Sequence, residues 1–406
     1  MGKHRSQALE CIRHDTLEER VNMYKQNILI VTASIGSGHN KAAEAIGNEM
    51  KIKYPDAAVH TVDFMSTKTA YLNGFLKAVY LKMLDFMPNV YDFLYNFTGG
   101  RLRGFSAQSM LALAMKHNME ELVKRYQADI VVCTHPFPCA AAAYLKRHKK
   151  IDVLLACVIT DFSIHQMWVY KNIDLYFVAT EEARTELARR GVAKETIQAT
   201  GIPVDRVFGL AYDRPSLLTK FNLRSDLPIA LIMGGGLGLG GVKVALQQLE
   251  TLAIPLQILV VTGANVSLWS EIKKYTSHSK HKIEVWGYSN NVQELMAVSG
   301  FLISKPGALT ICEALAMELP MLLHQPIPGP ETENAAYVAG KGAAIWIKEN
   351  KKIGAMVEEL LKDTVKLEQM RQNAHLLKKT GAAEAIVCCI RNHNRSLQLA
   401  GKSAKN

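Results

Sequence analysis

The chain has 406 residues, a length at which one hydrophobic core gives way to roughly two or three domains. Hydrophobic residues make up 49% of it and charged residues 21%, a balance that excludes a disordered, collagen-like or coiled-coil chain. Lys and Arg number 48 against 37 Asp and Glu, so the formal net charge is +11. This surplus predicts an anionic partner: a nucleotide, a nucleic acid or an acidic membrane surface.

The sequence predicts no membrane-crossing segment. No apolar run approaches the roughly 18 residues that a spanning helix needs, and the first 26 residues carry charges throughout, unlike a signal peptide. The seven cysteines form no CxxC pair, which is typical of buried, reduced thiols. We therefore expect a protein on the cytoplasmic side that is soluble or lies on a membrane without crossing it.

Short apolar runs alternate with helical patterns from residue 27 to about 347. Most of the runs are continuous in Val, Ile and Leu, which is typical of strands buried on both faces of a parallel sheet. The alternation predicts α/β architecture. The predicted strands are Ile28–Ala33, Ile130–Thr134, Asp152–Thr160, Leu175–Ala179, Thr196–Thr200, Ile229–Met233, Leu256–Thr262, Ile283–Gly287, Gly300–Ser304, Pro320–His324 and Ala343–Ile347.

The strand series pauses at Gly201–Asp205, where a polar stretch leads to a new glycine-rich region. This pause predicts a domain boundary around residues 205–215. We assign residues 1–205 to an N-terminal domain, residues 206–385 to a C-terminal domain, and residues 386–406 to a basic helix end and tail.

In parallel sheets, ligands bind beyond the carboxyl ends of the strands, so the loops after the strands are the candidate sites. After the first strand, Gly36 and Gly38 permit close backbone approach, and His39 opens a helix as a ligand contact or general base. Alternatively, His39 bonds to nearby backbone. Asp161 follows the strand 152–160, where it would accept a substrate hydroxyl proton or merely cap a turn.

Three loops of the second half have similar features. Residues 234–241 contain six glycines, which favour close approach to a phosphate, or alternatively a flexible lid. Pro306-Gly307 turns a strand into a helix, on which Glu313 would accept ribose hydroxyls or only complement the helix dipole. Residues 325–334 carry acidic and amide side chains suited to sugar hydroxyls, or form a rigid Pro-rich turn before a capped helix.

Together these segments resemble the processive diacylglycerol glycosyltransferases and plant monogalactosyldiacylglycerol synthases, inverting enzymes of the family 28 type. The order and spacing of the shared motifs cover about residues 27–347. The motifs are GxGH (Gly36–His39), TDFxxHxxW (Thr160–Trp168), TGIPVD (Thr200–Asp205), KPGxxTxxEA (Lys305–Ala314) and PGxExEN (Pro328–Asn334). The resemblance implies the GT-B fold, two doubly wound Rossmann-like domains facing across a cleft.

The resemblance also implies that the C-terminal domain binds a UDP-hexose as donor substrate. Glu313 is expected at the ribose, Tyr288 at the uracil and Lys305 near the diphosphate. The expected donor contacts are Gly38, Gly235, Gly236, Gly263, Tyr288, Lys305, Pro306, Gly307, Ala308, Thr310, Glu313, Gly329, Glu331, Glu333 and Asn334. His39 and Asp161 would face the acceptor hydroxyl, one of them as the base. No metal and no permanently bound cofactor is expected, because helix dipoles and Lys305 would offset the UDP charge.

Two positions depart from the family pattern. Ala308 stands where the family usually has a second glycine, which requires that its φ be negative. Pro330 replaces a glutamine and so removes a hydrogen-bonding side chain and a backbone N–H near the sugar. The choice between glucose and galactose therefore stays open.

Residues 66–105 hold 9 of the 30 aromatic residues of the chain and a surplus of basic over acidic residues. This composition is typical of a segment at an anionic lipid surface, although a helical pair packed on the sheet would share it. The expected acceptor or membrane contacts are Tyr71, Phe75, Lys77, Lys82, Arg101, Arg103, His165 and Trp168.

The leading hypothesis is transfer of glucose or galactose from a UDP-sugar to diacylglycerol, with inversion to a β-glycoside. The expected partners are the UDP-sugar, the lipid acceptor and an anionic membrane on its cytoplasmic side, with the protein attached peripherally. No nucleic-acid-binding motif is present, so no nucleic acid is expected. The alternatives are transfer to another lipid or a small acceptor, a UDP-sugar epimerase, and a membrane-bound UDP-sugar sensor without catalysis.

Overall fold

The computed structural model describes residues 26–34, 36–65 and 101–403. The chain divides into two compact units. One comprises Met1–Ile35, His39–Asp205 and Gly381–Asn406, and the other Gly36–Gly38 and Arg206–Thr380. Within the described part of the chain, no helix is both long and apolar enough to span a bilayer.

The first unit is built on a parallel six-stranded sheet with strand order β2-β1-β3-β4-β5-β6. Its central strands are fully buried because both faces of the sheet are covered, which explains their unbroken apolar sequences. The strands are β1 (Asn27–Thr32), β2 (Ala58–Asp63), β3 (Ile130–Cys133), β4 (Leu154–Val158), β5 (Leu175–Phe177) and β6 (Ile197–Gln198).

Apolar clusters on both faces of this sheet bind the helices to it. Among the described residues, the helices between these strands are α1 (Ser37–Lys53), α2 (Arg101–Arg125), α3 (Pro136–Arg147) and α4 (Glu181–Arg189). Helix α3 begins with Pro136 directly after the N-cap residue His135, a position where the missing N–H of proline costs no helical hydrogen bond. Cys133, Cys139 and Cys157 are free and buried in this core, where they pack as small apolar side chains.

The second unit repeats the design with strand order β12-β11-β10-β7-β8-β9, again all parallel. Its strands are β7 (Ile229–Met233), β8 (Gln257–Val261), β9 (Lys282–Trp286), β10 (Phe301–Ser304), β11 (Met321–His324) and β12 (Ala344–Ile347). Its helices are α5 (Arg214–Lys220), α6 (Val242–Leu249), α7 (Val266–Tyr275), α8 (Val292–Val298), α9 (Ala308–Ala316), α10 (Pro330–Gly340), α11 (Ile353–Lys362) and α12 (Thr364–Leu377).

The last helix, α13 (Ala382–Ser403), belongs to the first unit. Ile386, Val387 and Ile390 are fully buried in the same cluster as Ile28 of β1. The sequence assigned residues up to 385 to the second domain and the rest to a helix end and tail. The structure differs, because the apolar face of α13 covers one side of the first sheet.

The predicted α/β fold class is confirmed, and each of the eleven predicted apolar runs contains a strand. The sequence missed β2. This strand lies at the edge of the sheet, where Ala58, His60 and Thr61 are exposed to solvent, so it lacks the continuous apolar run of a buried strand.

Candidate active site

Each sheet has one point at which the strand order reverses, and the predicted site residues follow the strands there. In the first sheet this point lies between the neighbouring strands β1 and β3, and in the second sheet it lies between β7 and β10. The loops at the carboxyl ends of such strands diverge and leave a crevice that binds ligands. His39 follows β1, and Lys305 follows β10.

His39, in the first turn of α1, is held by residues that follow β3 and β4. Its Nδ1 lies 2.9 Å from the carbonyl oxygen of Thr134 and 2.7 Å from Oγ1 of Thr160, residues that follow β3 and β4. The hydroxyl of Thr134 donates to the carbonyl of His39 at 3.1 Å. A carbonyl oxygen can only accept, so the proton of neutral His39 belongs on Nδ1 and the lone pair on Nε2. The ring is therefore prepared to take up a proton at Nε2.

The environment of His39 keeps it unprotonated near neutral pH. Burial disfavours the imidazolium and lowers the pKa of His39 to about 4, against a smaller opposing effect of the hydrogen bond to the carbonyl of Thr134. That hydrogen bond strengthens when the ring is charged, so Thr134 both orients the imidazole and stabilises its protonated form.

A second histidine, which sequence reasoning missed, packs against the first. The ring of His135 lies edge-on to the ring of His39, with centroids 4.5 Å apart and an interplanar angle of 77°. Its Nδ1 accepts the N–H of Phe137 at 3.1 Å and so caps α3. Burial, followed by the proximity of His39, lowers the pKa of His135 well below its ordinary value. The sequence signal that could have indicated His135 was a histidine followed by a proline at the end of a buried strand.

The TDFxxHxxW segment is divided between the crevice and the core. Asp161 is half-buried and directly follows Thr160, which contacts His39. His165 accepts the N–H of Met167 at 3.3 Å and caps a short 3-10 turn. Trp168, expected at the acceptor or membrane, is only 2% exposed and packs in the apolar core of the first unit. Its indole therefore stabilises the fold and does not form part of an exposed surface.

In the second unit, the loop after β7 packs against the loop after β8. The N–H of Ala264 donates to the carbonyl of Gly236 at 2.9 Å, and the N–H of Gly234 donates to that of Val261 at 3.1 Å. Gly235 and Gly263 have positive φ values of 70° and 62°. A methyl group on Gly263 would lie 2.6 Å from the carbonyl oxygen of Gly236, so only glycine permits this approach.

Gly238→Ala should destabilise the second unit. Its φ is +68°, and an added methyl group would overlap the carbonyl oxygen of Thr262 and lie 2.6 Å from Cβ of Asn265. We expect a loss of about 1–3 kcal/mol in the free energy of unfolding, measured by denaturant titration. Gly340→Ala is the matched control, because nothing lies within 4 Å of its added methyl group. Equal stability of the two variants would contradict the assigned backbone geometry.

Lys305 forms an ion pair with Glu331, and both side chains are largely buried, at 16% and 12% exposure. The second carboxylate oxygen of Glu331 accepts the N–H of Ile327 at 2.9 Å. The alkyl stem of Lys305 lies along the glycine loop, since a methyl group on Gly235 would be 3.1 Å from its Cε. A methyl group on Gly307 would lie 3.6 Å from its Nζ. The ammonium therefore sits beside the first turn of α9.

Helix α9 begins at Ala308, with Gly307 as its N-cap. The φ of Ala308 is not positive, so the alanine that replaces the family's glycine fits without strain. Thr310 and Glu313 are half-buried and one turn apart on the same helix. The helix N-terminus, the ammonium of Lys305 and these two side chains together offer donors and acceptors suited to a phosphorylated ribose.

The PGxExEN segment forms the start of α10. Gly329 adopts φ 91° and ψ −121°, and Pro330 occupies the first helical position, where proline is favoured. Glu333 is exposed. Asn334, expected at the sugar, is fully buried, and its Nδ2 donates to the carbonyl of Pro306 at 3.4 Å. Asn334 thus joins α10 to the turn before α9.

The structure describes some of the remaining predicted residues, and others lie outside the described ranges. Tyr288 follows β9 and is 53% exposed, and Gly38 lies in the first turn of α1. Tyr71, Phe75, Lys77 and Lys82 lie outside the described residues, and Arg101 and Arg103 stand in the first turn of α2. Across the described ranges, no group of three or more His, Cys, Asp or Glu side chains could hold a metal ion.

Two family models match the chain, one on each unit. The model of monogalactosyldiacylglycerol (MGDG) synthase matches residues 39–204, and the model of the glycosyltransferase family 28 C-terminal domain matches residues 229–387. The two matches together cover most of the chain and contain His39, Asp161, Lys305 and Glu313.

Curated relatives extend over nearly the same length. The processive diacylglycerol beta-glucosyltransferase of Bacillus cereus (strain B4264) is 33% identical over 347 residues, which are 85% of this chain and 88% of the relative. The processive diacylglycerol beta-glucosyltransferase of Bacillus mycoides (strain KBAB4) is 31% identical and covers 91% of this chain and 94% of its own.

Solved structures show the same fold at low identity. MurG of Acinetobacter baumannii has a TM-score of 0.58 at 14% identity, covering 90% of this chain and 99% of its own. The glycosyltransferase WaaG has a TM-score of 0.55 at 13% identity, with 89% and 99% covered. Anabaena HepE in complex with UDP-glucose has a TM-score of 0.53 at 12% identity, with 92–93% of this chain matched in its sugar complexes. These likenesses identify the GT-B fold.

Proposed function

This chain belongs to the family of the monogalactosyldiacylglycerol synthases and processive diacylglycerol beta-glucosyltransferases, and we propose that it transfers glucose from UDP-glucose to diacylglycerol. It is a glycosyltransferase. The observation that carries the proposal is 33% identity to the Bacillus cereus enzyme over 85% of this chain, since that relative is named for both glucose and diacylglycerol. The product would be a β-glucosyldiacylglycerol.

The first unit supplies the base in the proposed reaction. Nε2 of His39 removes the proton of the acceptor hydroxyl while the hydroxyl oxygen attacks the anomeric carbon of the sugar. The bond from that carbon to the UDP oxygen breaks, its electron pair leaves with UDP, and the sugar configuration inverts. The hydrogen bond from Nδ1 to the carbonyl of Thr134 supports this assignment, because it holds the tautomer that has a basic Nε2. Asp161 is the alternative base.

The second unit holds the donor in this proposal. The N-terminus of α9 and the ammonium of Lys305 would offset the charge that develops on the leaving UDP. Glu313 would accept the ribose hydroxyls, Glu331 and Glu333 would meet the sugar or diphosphate, and Tyr288 would lie at the uracil. The UDP-glucose complex of HepE supports a UDP-sugar as donor, because HepE shares the fold.

Radiolabelled donors test the proposed reaction. We expect UDP-glucose with diacylglycerol in mixed micelles to give labelled β-glucosyldiacylglycerol, and UDP-galactose to give much less. Product from UDP-galactose alone would overturn the choice of sugar. An incubation without lipid separates a transferase from an epimerase: free epimerised sugar would contradict the proposal.

Glu313→Ala should abolish turnover by weakening UDP binding. A carboxylate that accepts the two ribose hydroxyls contributes about 1.5–3 kcal/mol for each charge-assisted hydrogen bond, so we expect affinity for UDP to fall about 100-fold or more by calorimetry. Glu318→Ala is the control on the residue just after the same helix, where the carboxylate pairs with Lys378 instead. Near-normal UDP affinity in Glu313→Ala would refute the ribose assignment.

We further propose that the protein acts as a peripheral protein on the cytoplasmic surface of an anionic membrane. Its net charge of +11 and its proposed lipid acceptor support this. Lys77→Glu/Lys82→Glu should weaken cosedimentation with phosphatidylglycerol vesicles about tenfold or more at low salt, at about 1 kcal/mol for each basic group. Lys351→Glu/Lys352→Glu, on exposed lysines of the second unit, is the control. Equal losses in both variants would point to net charge alone and contradict the role of residues 66–105.

A further inference from the structure

We propose that His135 is a positioning residue for His39: its imidazole, kept neutral by capping α3, fixes the ring of His39 and leaves His39 as the proton acceptor of the pair. This inference rests on the proposed function, in which His39 is the base. It adds to the first unit's part of the reaction a second histidine, which acts through His39 and contacts neither substrate.

The cap determines the protonation state of His135. Its Nδ1 accepts the N–H of Phe137 at 3.1 Å, which requires the lone pair of that nitrogen. Protonation of His135 at Nδ1 would therefore break the N-cap of α3, a helix whose residues 138–143 are all buried. The proton of the neutral ring belongs on Nε2. Loss of the cap and burial of a charge both oppose formation of a second imidazolium beside His39.

The edge-on contact determines the orientation of His39. With the ring centroids 4.5 Å apart and the planes at 77°, the edge of one imidazole packs on the face of the other. Rotation of the His39 ring would break this contact together with the hydrogen bonds of Nδ1 to Thr134 and Thr160. Two sides of the ring are thus fixed, by polar contacts at Nδ1 and by His135 at the ring itself.

Other ionisable groups on the surrounding elements do not replace His135 in this role. Asp63, after β2, accepts the N–H groups of Ser34 and Met65 at 3.0 Å. On α1, Lys41 pairs with Glu44 at 2.8 Å near the surface. Asp161 follows β4. Three thiols in the apolar core of the first unit are neutral, because burial raises the pKa of each: Cys133, Cys139 and Cys157.

His135→Asn is the decisive substitution, since asparagine is a good N-cap and removes only the imidazole. We expect kcat to fall about tenfold, with the KM for UDP-glucose changed less than about twofold, because the loss concerns the transition state and not donor binding. The melting temperature should stay close to that of the unsubstituted protein. His148→Asn, at the exposed C-terminal end of the same helix, is the matched control and should leave kcat unchanged.

A titration by NMR of the histidine ring protons tests the pair without any turnover. In the unsubstituted protein, neither His39 nor His135 should titrate near neutral pH, because burial lowers the pKa of both. In His135→Asn, the half-buried ring of His39 loses a packed neighbour and becomes more exposed to water, so its midpoint should move upward, and the acid limb of kcat should move with it.

The outcomes separate the two proposals. An unchanged kcat or an unmoved His39 titration in His135→Asn would overturn the positioning role. If the unsubstituted protein transfers no sugar, the proposed function fails, whereas the NMR titration still decides whether His135 controls His39. If His135→Asn unfolds, His135→Ser repeats the test, because serine also caps a helix N-terminus and lacks the imidazole; an unchanged kcat there would overturn the positioning role.

Discussion

His39→Ala should lower kcat by about 10²- to 10⁴-fold, the usual range for loss of a general base. The expected loss follows from the geometry at the carboxyl edge of the first sheet, where Thr134 and Thr160 hold Nδ1 and leave Nε2 as the basic atom. Steady-state kinetics with saturating UDP-glucose and diacylglycerol measure it. His117→Ala, on the exposed face of α2, is the control. A kcat within about threefold of the unsubstituted value would instead favour Asp161 as the base.

The lowered pKa of His39 predicts that the free energy of unfolding depends on pH. The pKa of His39 is about 4 in the folded protein and about 6.5 in an unfolded chain, so between these values only the unfolded state is protonated. The folded protein should therefore lose stability as the pH falls through this window, by about 3 kcal/mol from His39. His39→Ala should show a shallower decline between pH 6.5 and 4 in denaturant titrations. An unchanged slope would contradict the depressed pKa.

Lys305→Ala should reduce both the stability of the second unit and its affinity for UDP. The substitution leaves the carboxylate of Glu331 largely buried without its partner, which costs about 3–5 kcal/mol, and removes the cation beside the first turn of α9. Thermal unfolding and calorimetry with UDP measure the two effects. Lys378→Ala, which removes a more exposed pair with Glu318, should cost about 1 kcal/mol or less and leave UDP affinity unchanged.

A double variant separates the two effects of Lys305. Lys305→Met/Glu331→Gln keeps the alkyl stem against the glycine loop and removes both charges, so we expect stability to return close to that of the unsubstituted protein. UDP affinity should remain low, because the cation is still missing. Recovery of UDP affinity in this variant would mean that Lys305 acts only on the fold.

The fold was predictable because its strands are buried on both faces. Runs such as Ile229–Met233 have no polar residue, and burial in a parallel sheet requires that composition. The edge strand β2 has no such requirement and was missed. Helix α13 was read as a tail because its basic residues dominate the sequence there, whereas Ile386 and Ile390 pack on the first sheet. Apolar periodicity predicts a buried face but not the surface on which it is buried.

The candidate site was predictable only where glycines and charged residues follow strands. Gly235, Lys305 and His39 met that rule, and the structure brings the first two together beside α9. His135 could not be assigned from the sequence, because its contact with His39 joins residues far apart in the chain through the pairing of β1 with β3. Asn334 is predicted at the sugar or diphosphate, and its amide also donates to the carbonyl of Pro306, a supporting contact that the sequence motif does not reveal.

The return of α13 to the first unit sets an order for biosynthesis. Apart from Gly36–Gly38, the second unit is encoded between Asp205 and Gly381, so all six of its strands leave the ribosome before α13 is made. Until then, the side of the first sheet that Ile386, Val387 and Ile390 cover is open to water. The unit that begins first is therefore completed last, and a nascent chain stalled before residue 381 would display an uncovered apolar surface to chaperones.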